Sequence, residues 1–88
     1  MSNLGTAQVE DHPRQSVRSL RAGGRGVVVG VAAEYLSAKR LADMGFVTGA
    51  QIRMIRPGDP CIVGIGGTFV GLGGANQACV LVSATPED

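Results

Sequence analysis

Aromatic residues are scarce in this 88-residue chain: no Trp, one Tyr and two Phe. Any core must therefore be built from Val, Ile, Leu, Met and Ala, and there is no series of rings on which nucleic-acid bases could stack. Charge is thin as well, at 17% of residues, below the usual quarter. The formal net charge is +1, and no Lys or Arg occurs from Pro57 to Asp88. The dense basic footprint of a nucleic-acid binder is missing. The only histidine, His12, lies beside Pro13 in a polar N-terminal stretch. Asp43 and Asp59 stand alone, and neither cysteine has a histidine near it in sequence, so no nucleophile–base pair or acid–base couple is available and the chain does not read as an enzyme.

The two cysteines, Cys61 and Cys79, match neither a metal-knuckle nor a redox spacing. No run approaches the roughly 18–20 apolar residues that span a bilayer, and the start of the chain lacks the apolar segment of a secretory signal. The expectation is a soluble, cytoplasmic protein with reduced thiols.

What is present is glycine and β-branched residues. Residues 1–15 are polar and without period, which predicts a mobile tail. Ser16–Gly24 is a lead-in, and Arg25–Ala33 is dense in valine and reads as a strand with Val27, Val29 and Val31 inward. Gly23-Gly24-Arg25-Gly26 precedes that strand, whereas a phosphate loop follows one and opens a helix. Glu34–Met44 is a helix with Tyr35, Ala38, Leu41, Ala42 and Gly45 on one side and Lys39, Arg40 and Asp43 on the other. Gly45 stops it and Phe46 folds back onto its last turn.

After the turn at Gly49, Ala50–Arg56 alternates as a strand, with Ile52 and Met54 opposed to Gln51 and Arg53. Pro57–Pro60 turns the chain. Cys61–Ile65, the pair Gly66-Gly67 and Thr68–Leu72 read as a hairpin. Gly73–Gln77 turns again or makes one helical turn, Ala78–Ser83 closes, and residues 84–88 fray. About five short strands around one short α-helix, placed between the first two strands, predict an all-β, small barrel whose closure would remove its edges.

The ordered set Leu41-Ala42-Asp43-Met44-Gly45-Phe46-Val47-Thr48-Gly49-Ala50, Gly58-Asp59-Pro60, Gly67 and the final Val80-Leu81-Val82 resembles the ferrous iron transport protein A (FeoA) family. Leu20-x-x-Gly23 fits as well. The resemblance covers residues 16–83 and implies an SH3-like barrel. It also implies a cytoplasmic accessory role in bacterial ferrous iron uptake, exerted by contact with the FeoB-type GTP-binding permease. It carries no agreed catalytic or metal residues. The alternative is a free-standing SH3-like interaction module related to the C-terminal domain of metal-dependent repressors.

This chain departs from the family pattern at Thr48, where proline is usual. It departs more along Cys61–Leu72 and just after it, where the usual charges are replaced by Ile62, Gly64, Gly66, Phe69, Gly71, Gly73 and Gly74. With Val63, Ile65, Val70 and Leu72 inward, Ile62 and Phe69 face out as a candidate docking patch. Lys39, Arg40 and Asp43 on the exposed helix flank are the other candidate partner contacts. Docking another chain, self-association into a homo-oligomer, and burial beneath the tail remain open for this patch. No cofactor is expected. For weak Fe(II) or other divalent metal the candidates are Cys61 and Cys79, with Asp59, Asp43, Glu34, Met54 and His12 behind them. Cys61 shares parity with Val63 and Ile65 and should face in, whereas Cys79 opposes Val80 and Val82 and should face out.

Overall fold

The computed structural model describes residues 15–85. His12, the rest of the N-terminal stretch and the last three residues lie outside the described residues. The elements run β1 (Gln15–Ser16), a 3-10 turn (Val17–Ser19), β2 (Arg25–Val31), α1 (Tyr35–Asp43), β3 (Gln51–Arg56), β4 (Cys61–Ile65), β5 (Thr68–Leu72), α2 (Gly74–Cys79) and β6 (Val80–Ala84). The strands form one antiparallel sheet in the order β1-β6-β2-β3-β4-β5. Five strands and the helix between the first two of them follow the expected plan. The sheet coils around its core as an SH3-like fold, but among the described residues β1 and β5 do not pair, so the barrel stays open. The expected tail and frayed end give up residues to the sheet: Gln15 pairs with Val82, and the Thr85 amide donates to the Arg25 carbonyl.

The core is aliphatic with one aromatic ring. Val28, Leu41, Phe46, Met54, Cys61, Val63, Leu72, Val80 and Val82 are all essentially inaccessible to solvent. In β3 and β4 the alternation is as expected, with Ile52, Met54, Cys61, Val63 and Ile65 buried. In β2 it is not. Val28 is fully buried, and Val27 and Val29 are only half-buried, the reverse of the expected facing. Three successive valines present the same chemistry to both faces, so their own pattern is neutral. What decides the facing is the pairing with β6, where Gly26 lies so close that a Cβ on it would stand 3.0 Å from the Ser83 carbonyl oxygen. A register shift between Val28 and Gly30 then returns Val31 to the core side, where it packs against the cluster.

Helix α1 attaches by its C-terminal end. Gly45 takes φ 108°, its amide donates to the Ala42 carbonyl, and the Phe46 amide donates to the Leu41 carbonyl at 3.0 Å. That is the double bond pattern of a Schellman stop, with Phe46 and Leu41 making the accompanying apolar contact inside the core. Leu41 is the only buried residue of α1. Tyr35, expected on the inner side, is 75% exposed, and Leu36 beside it is 63% exposed. The inner stripe is narrower than its periodicity suggests: Leu41 is buried and Ala38 half-buried, whereas Tyr35 and Ala42 are exposed.

The N-terminal end of α1 is held by Glu34, whose carboxylate accepts from the amides of Leu36 and Ser37 and from the Ser37 hydroxyl. The Ser37 hydroxyl contributes most to holding the Glu34 carboxyl below its ordinary value of 4.5, followed by the Leu36 amide. Because the folded group titrates lower than the unfolded one, the cap contributes fully above the unfolded value and is lost as pH falls through the folded value. Acid titration should therefore move the Leu36 and Ser37 amide resonances together with Glu34, and Glu34→Gln should remove that acid limb. Amides that titrate unchanged in the variant would show that Glu34 is not the cap.

The second helix was expected as a turn, or one helical turn, over Gly73–Gln77, with the closing strand starting at Ala78. It extends instead from Gly74 to Cys79, so β6 begins only at Val80. Gln77 explains the extra length. It is buried, and its Nε2 donates to the carbonyls of Gly58 and Leu72 at 2.9 and 3.2 Å. One side chain thus ties the helix to the Pro57–Pro60 loop and to the end of β5.

Candidate functional site

The hairpin β4–β5 carries the exposed surface that is unusual for its chemistry. Gly64 pairs with Arg53 on one side and with Phe69 on the other, and Arg53 in turn pairs with Arg25. One outward row therefore reads Arg25, Arg53, Gly64, Phe69 across four strands. Phe69 is 73% exposed. A Cβ on Gly64 would lie 3.6 Å from Ile55 Cδ1 and 3.7 Å from the Phe69 ring, so both side chains lie over the glycine. Ile55 is itself exposed. The result is a small apolar patch with two arginines along its flank.

Ile62 is on the same outer face but is not part of this convergence. It pairs with Gly71, and its Cδ1 would stand 3.7 Å from a Cβ there, which leaves it half-buried. Phe69 is thus the exposed member of the expected pair, and Ile55 takes the place reasoned for Ile62. A signal for Ile55 is legible in the sequence. Strict alternation after Met54 would turn the charged Arg56 inward, and a bulge avoids that. The structure has one between Met54 and Arg56, and Ile55 and Arg56 are both exposed.

Asp43 joins this surface from the other side. It lines an open groove with Met44, Gly45, Gln51, Ile65 and Thr68, and Gln51 and Thr68 also border the Phe69 patch. Lys39 and Arg40 are exposed on α1 and border neither. The expected helix flank is divided accordingly, with Asp43 brought beside the hairpin tip and the two cations left on the free side of the helix.

Cys61 is fully buried in the core, as its parity implied, and burial pushes its thiol pKa up. A protonated, enclosed thiol is a poor metal ligand. Cys79 is not on a strand face. It ends α2, half-buried against the core, with its thiol 3.3 Å from the Asn76 carbonyl. Among the described residues, no three His, Cys, Asp or Glu side chains group so as to hold a metal ion. The glycine cluster before β2 is likewise committed: the Gly23 amide donates to the Met54 carbonyl and the Gly24 amide to the Arg21 carbonyl. No helix among the described residues is long and apolar enough to cross a membrane.

Fold and surface together define a small SH3-like domain that offers an apolar, arginine-flanked face. The FeoA domain profile matches residues 16–84, and the chain belongs to that family. A FeoA protein from Chlorobium tepidum is 33% identical, with 83% of this chain and 72% of that one covered at a TM-score of 0.75. The zinc-complexed FeoA of Stenotrophomonas maltophilia, described as a prokaryotic SH3 domain protein, is 30% identical over 78% of this chain and 89% of that one, at a TM-score of 0.70. A manganese-dependent transcriptional repressor shares the fold at 19% identity and a TM-score of 0.76, with 83% of this chain and 42% of that one covered. Among curated proteins, none matches the sequence at a significant level.

Proposed function

We propose that this protein is a cytoplasmic accessory factor of bacterial ferrous iron uptake, and that it acts by docking on the cytosolic region of a FeoB-type GTP-binding iron permease. Membership of the FeoA family supports the process, and the Stenotrophomonas relative is put forward as a ferrous iron transport activating factor. The observation that carries the mode of action is the Ile55–Phe69 patch over Gly64, flanked by Arg25 and Arg53. A solvent-facing aromatic ring with guanidinium groups beside it is the kind of feature that dominates binding energy when a partner covers it. Asp43 at the adjoining groove would help fix the orientation of the docked partner.

The kinship in fold with metal-dependent repressors rests on geometry alone and adds no second role. Metal is not required by this reading, because recognition runs through the outer face and not through Cys61 or Cys79.

The test is capture of the permease's cytosolic region by wild type and by Phe69→Glu. A charge at the centre of the patch should weaken binding by about thirtyfold or more. Its effect on stability should stay within about 1 kcal/mol, since the ring is mostly in solvent. Equal recovery of the permease region by both proteins would overturn the assignment of the patch.

A further inference from the structure

We infer that β5 is a pairing edge for a second copy of this chain, with the two sheets joined antiparallel about a twofold axis at Val70. Three observations point there. First, β5 ends the sheet, and no described strand bonds to its outer side. The two-residue turn at Gly66-Gly67, both at positive φ, sets which backbone groups are free. It makes Ile65–Thr68, Val63–Val70 and Cys61–Leu72 the hydrogen-bonded pairs, so the amides and carbonyls of Phe69 and Gly71 point away from β4.

Second, this edge lacks the usual guards. Thr68–Leu72 contains no charge and no proline, and its register with β4 runs unbroken through all five pairs. β1, at the other end of the sheet, covers only Gln15–Ser16 among the described residues.

Third, the occupant that fits is the chain itself. A twofold at Val70 sets Phe69 opposite Gly71 of the second copy and Gly71 opposite its Phe69. Each ring then meets a position without a side chain, the arrangement Phe69 already has with Gly64 inside one chain. The two pairs would exchange about four backbone hydrogen bonds. A twofold also brings like against like, so a charged edge would repel its copy, whereas from Pro60 to Pro86 this chain carries no charged residue. The inference does not depend on the iron-uptake reading, since the chain supplies both partners. It does imply that self-pairing and docking through Phe69 compete.

A five-residue edge is small beside the roughly 1,200–2,000 Å² of a standard interface, so association is expected to be weak and reversible. Sedimentation velocity of the full chain from ~10 µM to ~1 mM should show the sedimentation coefficient rising with concentration. Over the same range, hydrogen exchange at the Phe69 and Gly71 amides should slow by about tenfold as the edge becomes paired. Gly71→Lys should remain monomeric throughout. A Cβ at Gly71 meets nothing nearer than Ile62 Cδ1 at 3.7 Å, so the fold admits the change. Ala22→Lys, the same added charge on an exposed turn before β2, should associate like wild type. A wild-type chain that stays monomeric with concentration-independent exchange would overturn the inference, as would Gly71→Lys associating like wild type. If Gly71→Lys loses its circular dichroism signature, exchange at Phe69 and Gly71 in the wild type decides the matter alone.

Discussion

Phe46→Ala is expected to lower the unfolding free energy by about 3–5 kcal/mol, measured by urea denaturation. Phe46 is 1% exposed and is the largest of the fully buried side chains. The other two aromatic side chains, Tyr35 and Phe69, stand in solvent, so no neighbouring ring can fill the space. The residue also has a second task. It closes the Schellman stop onto Leu41, through which α1 reaches the core. Truncation thus removes core volume and loosens the helix at once. A domain this small has a stability at the lower end of the usual ~5–15 kcal/mol, so the loss is a large share of the total. Phe46→Leu, which keeps most of the volume, should cost about 1.5 kcal/mol or less. A Phe46→Ala variant less than about 1.5 kcal/mol below wild type would show that the ring is not what holds helix and sheet together.

Gln77→Leu should cost about 1–3 kcal/mol despite conserving volume. Both donors of the Gln77 amide are in use, to the carbonyls of Gly58 and Leu72. Leucine would leave those acceptors without their partner and offer only apolar contact in return. The effect should be local as well as global. Exchange at the amides of the Pro57–Cys61 segment and of α2 should quicken before the rest of the sheet opens. Uniform acceleration across all strands would show instead that Gln77 acts only through packing.

Several parts of the fold are legible without coordinates. Gly45 followed by Phe46 announces the helix stop, because only glycine takes φ near +108° cheaply and the next apolar side chain must fold back. Gly66-Gly67 announces the hairpin, and the alternation through Ile52, Met54, Cys61, Val63 and Ile65 announces the buried faces of β3 and β4. From that alternation alone Cys61 falls inside and Phe69 outside, as found. The helix face is less legible. Tyr35 has the right spacing to be buried, but spacing says nothing about how far along its length a helix touches the sheet.

By itself, then, the sequence determined where the helix α1 stops and the hairpin turns, and which faces of β3, β4 and β5 are apolar. These are local properties, written in residue period and in backbone positions that only glycine satisfies. Tertiary structure alone decided three things. The facing of β2 came from the close approach of Gly26 to Ser83, since Val27, Val28 and Val29 are equivalent to either face. The placing of Ile55 and Phe69 over Gly64 came from the register of β4 against both its neighbours. The openness of the sheet at β5 came from which strands find each other at long range. A hairpin is announced by its turn, but which strands distant in sequence pair is settled through backbone groups that every residue carries, and no local pattern marks it.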